Sequence, residues 1–344
     1  MRNEKIDFLR FLGLSLIVLA HVNPPLIISQ LRNFDVPLMF LVMGMSFFIT
    51  ESRHTSTFNY IASRFKRLVI PTWFFFSCFY IVSELIWMYQ GHSEFKYSAG
   101  TIAATFALST GIGYVWVIRI FFSVSILAIL TPKSILNASI YKITFLSFGF
   151  IILNTYFLSS FYESLDVNIR ALEIGTFISS TAVYLCVFLI GYKILQEDRN
   201  SIIFILFISG VIFTVVMSYL MTREGHFIPT QEDKYPPGIY YISFAIFMSL
   251  AFFVTSEKLI KALSYSKLWG IVMFISSNSI WIYLWHIAFI VNIINLNINF
   301  MFKYILVYSF SIAIVFIQVK LIKSITSTIK DDRKSKILNQ IFTG

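Results

Sequence analysis

The chain is 344 residues long, 57% hydrophobic and only 13% charged, with a net charge of +10. A soluble globular domain carries about 25% charged residues, so this composition excludes a water-soluble fold and makes lipid the solvent. The apolar runs are long and continuous, which excludes the alternating pattern of a β-barrel. The positive charge is therefore read against membrane topology, with no nucleic-acid partner expected.

The class is an all-α integral membrane protein. A span needs about 20 apolar residues, and segments of that kind predict about ten transmembrane helices, near 8–28, 34–50, 68–89, 113–131, 143–160, 174–195, 202–221, 237–255, 269–292 and 302–323. The first is followed by more of the same and reads as a retained span rather than a cleaved signal. A shorter apolar stretch, 99–111, reads as a re-entrant or interfacial piece. Residues 1–325 are expected to form one transmembrane domain and 326–344 a short basic tail at headgroup level.

With the N-terminus inside, 20 of the 27 Lys and Arg fall in cytoplasmic segments, Arg53, Arg64, Lys66 and Arg67 among them, while acidic residues split about evenly. That bias is the positive-inside pattern and predicts both termini in the cytoplasm. Cys78 and Cys186 each lie inside an apolar run, with no CxxC, so neither a disulfide framework nor a metal site is expected.

The first span, "RFLGLSLIVLAH", places Arg10 and His21 eleven positions apart. On a helix that is three turns plus about 20°, so both side chains share a face about 16 Å apart along the axis. Asp7 stands one turn before Arg10 and can pair with it. Arg10 also reads as an interfacial anchor and His21 as the far end of a short span, although a His inside a span usually faces protein.

Several stretches together resemble one family, the integral-membrane acyltransferase family 3, which includes polysaccharide O-acetyltransferases. "IDFLRFLGLSLIVLAH" resembles its opening, an Arg or Lys, ten residues, then a His. "FDVPLMFLVMG" resembles its second span, with Met43 standing where the family has a Ser before Gly44. "RFKRLVIP" resembles its R-x-x-R segment, "GYVWVIRIFF" its Trp-containing fourth span, and "FLIGYKI" a Gly-Tyr element. "KYPPG" and "SIWIYLWH" are similar to its late Tyr-Pro-Pro and Tyr-Leu-x-His elements. The likeness runs in order over nearly the whole chain.

The resemblance implies transfer of an acetyl (acyl) group from acetyl-CoA to a hydroxyl of a bacterial surface polysaccharide or its lipid-linked precursor, at the inner membrane, without a metal. CoA is polyanionic, so Arg10, Arg64 and Arg67 are the candidate phosphate ligands, the last two also reading as a plain positive-inside cluster. A His serves as base near neutral pH, which makes His21 the candidate catalyst. His286, with Tyr283 one turn before it, is read as orienting His21 or holding the acceptor; it reads equally as a packing histidine. No Ser-His-Asp or Cys-His constellation is readable, so no covalent acyl-enzyme of that kind is expected; direct transfer and an acyl-imidazole at His21 both stay open.

Other charges in spans are weighed singly. Arg119 beside Trp116 suggests a cavity with a CoA or substrate contact, and Asp35 is placed to pair with a His or Arg. Glu84 and Glu173 read as snorkelling residues, and His54, His92 and His226 as solvated. In "TREGHFIPTQEDKYPPGIYY", Tyr235, Tyr240 and Tyr241 offer faces for sugar rings, and Glu232 and Asp233 offer acceptors; an ordinary structured loop is the other reading. The rival class is a lipid-linked oligosaccharide transporter, which should show two related halves that this chain lacks, or an O-antigen-type polymerase.

Overall fold

The computed structural model describes residues 3–51, 56–112, 114–164 and 169–343, excluding the side chains of 158–172. Arg53 and His54 lie outside the described residues. These residues hold no strand and fifteen α-helices: α1 (Glu4–Ala20), α2 (Leu26–Arg32), α3 (Asp35–Thr50), α4 (Thr57–Tyr89), α5 (Ala99–Phe106), α6 (Trp116–Leu130), α7 (Lys133–Leu136), α8 (Ile140–Ser164), α9 (Ile169–Ile194), α10 (Arg199–Glu224), α11 (Ile239–Ser264), α12 (Leu268–Ser277), α13 (Ser279–Ile293), α14 (Phe300–Thr328) and α15 (Asp332–Phe342).

A helix or helix pair stands at each of the ten expected spans, but among the described residues seven stretches, α2 with α3 counted as one, are long and apolar enough to cross a bilayer, or eight if α12 and α13 count as one. The shortfall has local causes. α1 stops at Ala20, well before residue 28, because Asn23 takes a left-handed φ of 54° and Pro24 and Pro25 follow. α6 has 15 residues. The ninth expected span is interrupted at Asn278, whose φ of −114° and ψ of 25° leave the helix. α10 shows Ile203, Phe204, Phe207 and Val215 to the outside, the pattern of a helix facing lipid.

The chain divides into two compact units, Met1–Thr55 with Ile126–Ser276, and Ser56–Ser125 with Ser277–Gly344. In the first, α3 is central, packing on α1, α9 and α11. Gly44 and Gly191 make its contact with α9 possible: a Cβ on Gly44 would collide with the Phe188 carbonyl, and one on Gly191 with Leu41. Small residues at a crossing let helix backbones approach. Asn3 starts α1 by accepting from the amides of Lys5 and Ile6 at 3.0 and 3.3 Å.

In the second unit α4 runs 33 residues through Pro71. The 99–111 stretch becomes α5, held to α4 by Trp73 Nε1 donating to the Phe106 carbonyl (2.8 Å) and by Tyr80 and Thr105 hydroxyls 2.7 Å apart. The stretch read as a short basic tail contains a helix. α15 is amphipathic and docks on α4 and α14. A helix leaves its last carbonyls unbonded; here Ile341 accepts from Trp281 Nε1 at 2.9 Å and Phe342 from Gln318 Nε2 at 2.8 Å.

Candidate active site

In the first unit α1 runs unbroken from Arg10 to its C-cap, His21, so the two keep the shared face that their spacing sets. Both are half-buried. Arg10 Nη1 donates to Asp7 Oδ1 at 3.1 Å and to Ser276 Oγ at 3.3 Å, and Nη2 donates to Ser46 Oγ at 3.0 Å. Ser276 in turn donates to Asp7 Oδ1 at 2.8 Å. The Asp7–Arg10 pair stands as the spacing implies. The two serines belong to α3 and α12, far away in sequence, and their one legible signal is a hydroxyl inside an apolar run. The network fixes the guanidinium while leaving its side chain 26% exposed.

Asp35 lies in a second network of the same unit. Arg32 Nη1 donates to Asp35 Oδ2 at 2.6 Å, and Lys234 Nζ reaches Asp35 Oδ1 at 3.4 Å and Asn33 Oδ1 at 3.2 Å. Asn33 donates to Thr230 Oγ1 at 2.9 Å. Asp35 thus has the Arg partner expected of it, plus a lysine that sequence spacing does not reveal. All five residues are buried. Burial lowers the Lys234 ammonium from its ordinary range, against the opposing pull of Asp35.

The sugar platform read in 222–241 needs correcting. Tyr240 and Tyr241 are buried at 2% and 0% exposure, because α11 begins at Ile239 and carries both inward. The Tyr240 hydroxyl donates to the Ile228 carbonyl at 2.9 Å. Asp233 is taken by the start of α11, accepting from the Tyr241 amide at 3.1 Å, and burial pushes its carboxyl up to about 6. Tyr235 remains exposed, its ring 5.8 Å from the Lys234 ammonium. Glu232 is also exposed.

The second unit holds the remaining site candidates. Arg64 and Arg67 stand one turn apart on α4, the Arg64 guanidinium 5.0 Å over the Tyr60 ring. Among the described residues no carboxylate pairs with either. Two neighbouring cations on one helix face repel, and a polyanion would relieve that repulsion. Arg119 and Trp116 are half-buried, one turn apart on α6. His286 is fully buried on α13, its ring centroid 4.9 Å from that of Tyr283. Its Nδ1 meets the Tyr283 carbonyl. The Tyr283 hydroxyl donates to the Tyr114 carbonyl at 2.7 Å. Of the loop histidines, His92 stacks on Trp87 and His226 stays exposed. Glu84 accepts the Lys96 amide at 3.2 Å. Among the described residues no group of three or more His, Cys, Asp or Glu is placed to hold a metal.

A family model described as an acyltransferase domain, that of acyltransferase family 3, matches residues 3–319. The chain belongs to acyltransferase family 3. No curated protein and no solved structure matches it. Family membership and the apolar helices together make it a multi-pass membrane acyltransferase. The match begins at the Asn3 cap and includes both elements of the Arg10–His21 pair as well as the α4 arginines.

Proposed function

We propose that this member of acyltransferase family 3 moves an acetyl group from acetyl-CoA to a hydroxyl of a bacterial surface polysaccharide or its lipid-linked precursor. The setting is the inner membrane, with the ten helical segments as ten spans and both termini cytoplasmic. The observation that carries the reading is α1 itself: a guanidinium fixed by Asp7, Ser46 and Ser276 on the same helix face as a half-buried histidine. Their separation, about 16 Å, suits a donor with an anionic end and a reactive thioester at the end of a long arm.

Arg10 is the first unit's candidate for that anionic end; in the second unit Arg64 and Arg67, with no carboxylate of their own among the described residues, suit the phosphates of CoA, and Arg119 adds positive charge. His21 takes the proton of the acceptor hydroxyl as its oxygen attacks the thioester carbon. The carbon–sulfur bond breaks, and the His21 imidazolium gives that proton to the sulfur, so CoA leaves as the thiol. For the acceptor, the candidates are His286, Trp116 and Tyr283 in the second unit and the exposed Tyr235 in the first; Asp35, buried between Arg32 and Lys234, acts on the segment that carries Tyr235 by holding Lys234.

The test uses membranes carrying the full chain, radiolabelled acetyl-CoA and the host glycan. Label is expected on the glycan only when the chain is present. Label that stays in acetyl-CoA would overturn the reading in favour of a transporter or polymerase.

A further inference from the structure

The second unit contains a groove that the reaction above does not use. Its volume is about 590 Å³, within the range of sites that take one small ligand. Phe75, Cys78, Val82 and Ile86 of α4 line one wall, and Trp285 and Ala288 of α13 line another. The lining along α4 runs from Phe74 to Ile86, about 18 Å at 1.5 Å per residue. One leaflet of hydrocarbon is about 15 Å deep, so the apolar length fits a single leaflet.

The two ends differ. At one, Phe342 of α15 closes the groove, stacked on Trp281 with ring centroids 5.8 Å apart and set against Phe74 at 5.0 Å. Gln318 fixes this end by donating to the Phe342 carbonyl while accepting from Trp285 Nε1 at 3.0 Å. At the other end stands Lys96, exposed, its ammonium 5.8 Å over Trp87 and 5.4 Å over Tyr97. The nearby Glu84 carboxylate bonds the Lys96 amide, and among the described residues no carboxylate pairs with the ammonium. Aromatic faces hold a cation without neutralising it. A leaflet-deep apolar slot, shut at its inner end and carrying one cation at its mouth, suits a ligand with one long tail and one anionic head.

We propose that this groove binds a long-chain lipid phosphate, with the chain between α4 and α13 and the phosphate at Lys96. Resting on the function proposed above, this lipid is the anchor of the acceptor glycan, so the acceptor is the lipid-linked form. The groove makes the anchor a recognised part of the substrate and not merely a carrier.

The test places the purified full-length protein in phosphatidylcholine nanodiscs with a prenyl phosphate carrying a diazirine in its chain. After irradiation, labelled peptides are mapped. Label is expected on residues 74–86 and 281–292, competed by unlabelled prenyl phosphate but not by phosphatidylglycerol. Lys96→Gln should lower the yield about two- to fivefold, the scale of an exposed ion pair, and Ala288→Phe should remove it by filling the slot. Lys96 is a surface side chain whose backbone contact survives substitution, so that variant is informative even if Ala288→Phe does not fold. Label spread over lipid-facing helices such as α10, equal competition by phosphatidylglycerol, or an unchanged yield in Lys96→Gln would overturn the proposal. Crosslinking needs no acetyl transfer, so failure here and failure of the acetyltransferase reading are separate results.

Discussion

Asp7–Arg10 on α1 and Arg32–Asp35, which joins the end of α2 to the start of α3, are both i,i+3 ion pairs in the same unit, and their surroundings differ. The first leaves its arginine side chain 26% exposed and surrounds it with two serine hydroxyls. The second leaves its arginine 8% exposed and adds Lys234 on the same carboxylate. At Arg10 one carboxylate faces one guanidinium, and the two hydroxyls hold its geometry without adding charge. In the Asp35 cluster one carboxylate serves two buried cations, so the acid is what makes their burial tolerable. The same local motif thus sits half-open around Arg10 and is locked away around Asp35, and only the first suits the anion-docking role proposed above.

The sharpest way to break that contrast is to remove each acid. Asp35→Ala should destabilise the protein by about 3–5 kcal/mol, because it strands two buried cations, and thermal unfolding in detergent should show it. Asp7→Ala should cost clearly less. Equal losses would erase the distinction. Next in size is Arg10→Gln, expected to cost about 1–2 kcal/mol from the lost charge-assisted bonds while lowering acetyl transfer far more, mainly by raising KM for acetyl-CoA. A stability loss with transfer unchanged would make Arg10 as structural as Arg32.

Asp233, beside the Asp35 cluster, gives a pH test. Its folded carboxyl titrates at about 6, above the ordinary 3.8, so its favourable contribution is complete below the unfolded value and is lost as pH rises through about 6. Wild type should therefore lose stability between those values, and Asp233→Asn should flatten that part of the profile. A variant with the same slope would show that another group titrates there. The smallest effect is expected from Tyr235→Ala, which removes an exposed cation–π contact worth about 0.5–1 kcal/mol. If its unfolding temperature fell as far as that of Asp35→Ala, Tyr235 would belong to the lock and not to the surface.

What the sequence made readable follows from range. The Asp7–Arg10 pair and the Arg10–His21 face depend only on helix periodicity, and both are present. Lys234 meets Asp35 across nearly 200 positions, and Ser276 meets Asp7 across 269; no local pattern encodes such partners. The positions of all ten apolar segments were legible, but not that α1 ends at Ala20, where left-handed Asn23 and two prolines outweigh continuing hydrophobicity. Tyr240 and Tyr241 read as sugar-facing because they close the polar segment 222–241, although the span expected from 237 already overlapped it; α11 begins at Ile239 and turns both inward. The helix α15 was not legible in the short basic tail because its few apolar residues gain meaning only once Trp281 and Gln318 are beside them.

The central claim is that His21 takes the proton from the acceptor hydroxyl. It is tested most directly by His21→Ala, expressed in the host membrane at wild-type level, with the purified glycan read by NMR. Loss of the O-acetyl signals with the protein still in the membrane is the predicted result; full O-acetylation by that variant would contradict it.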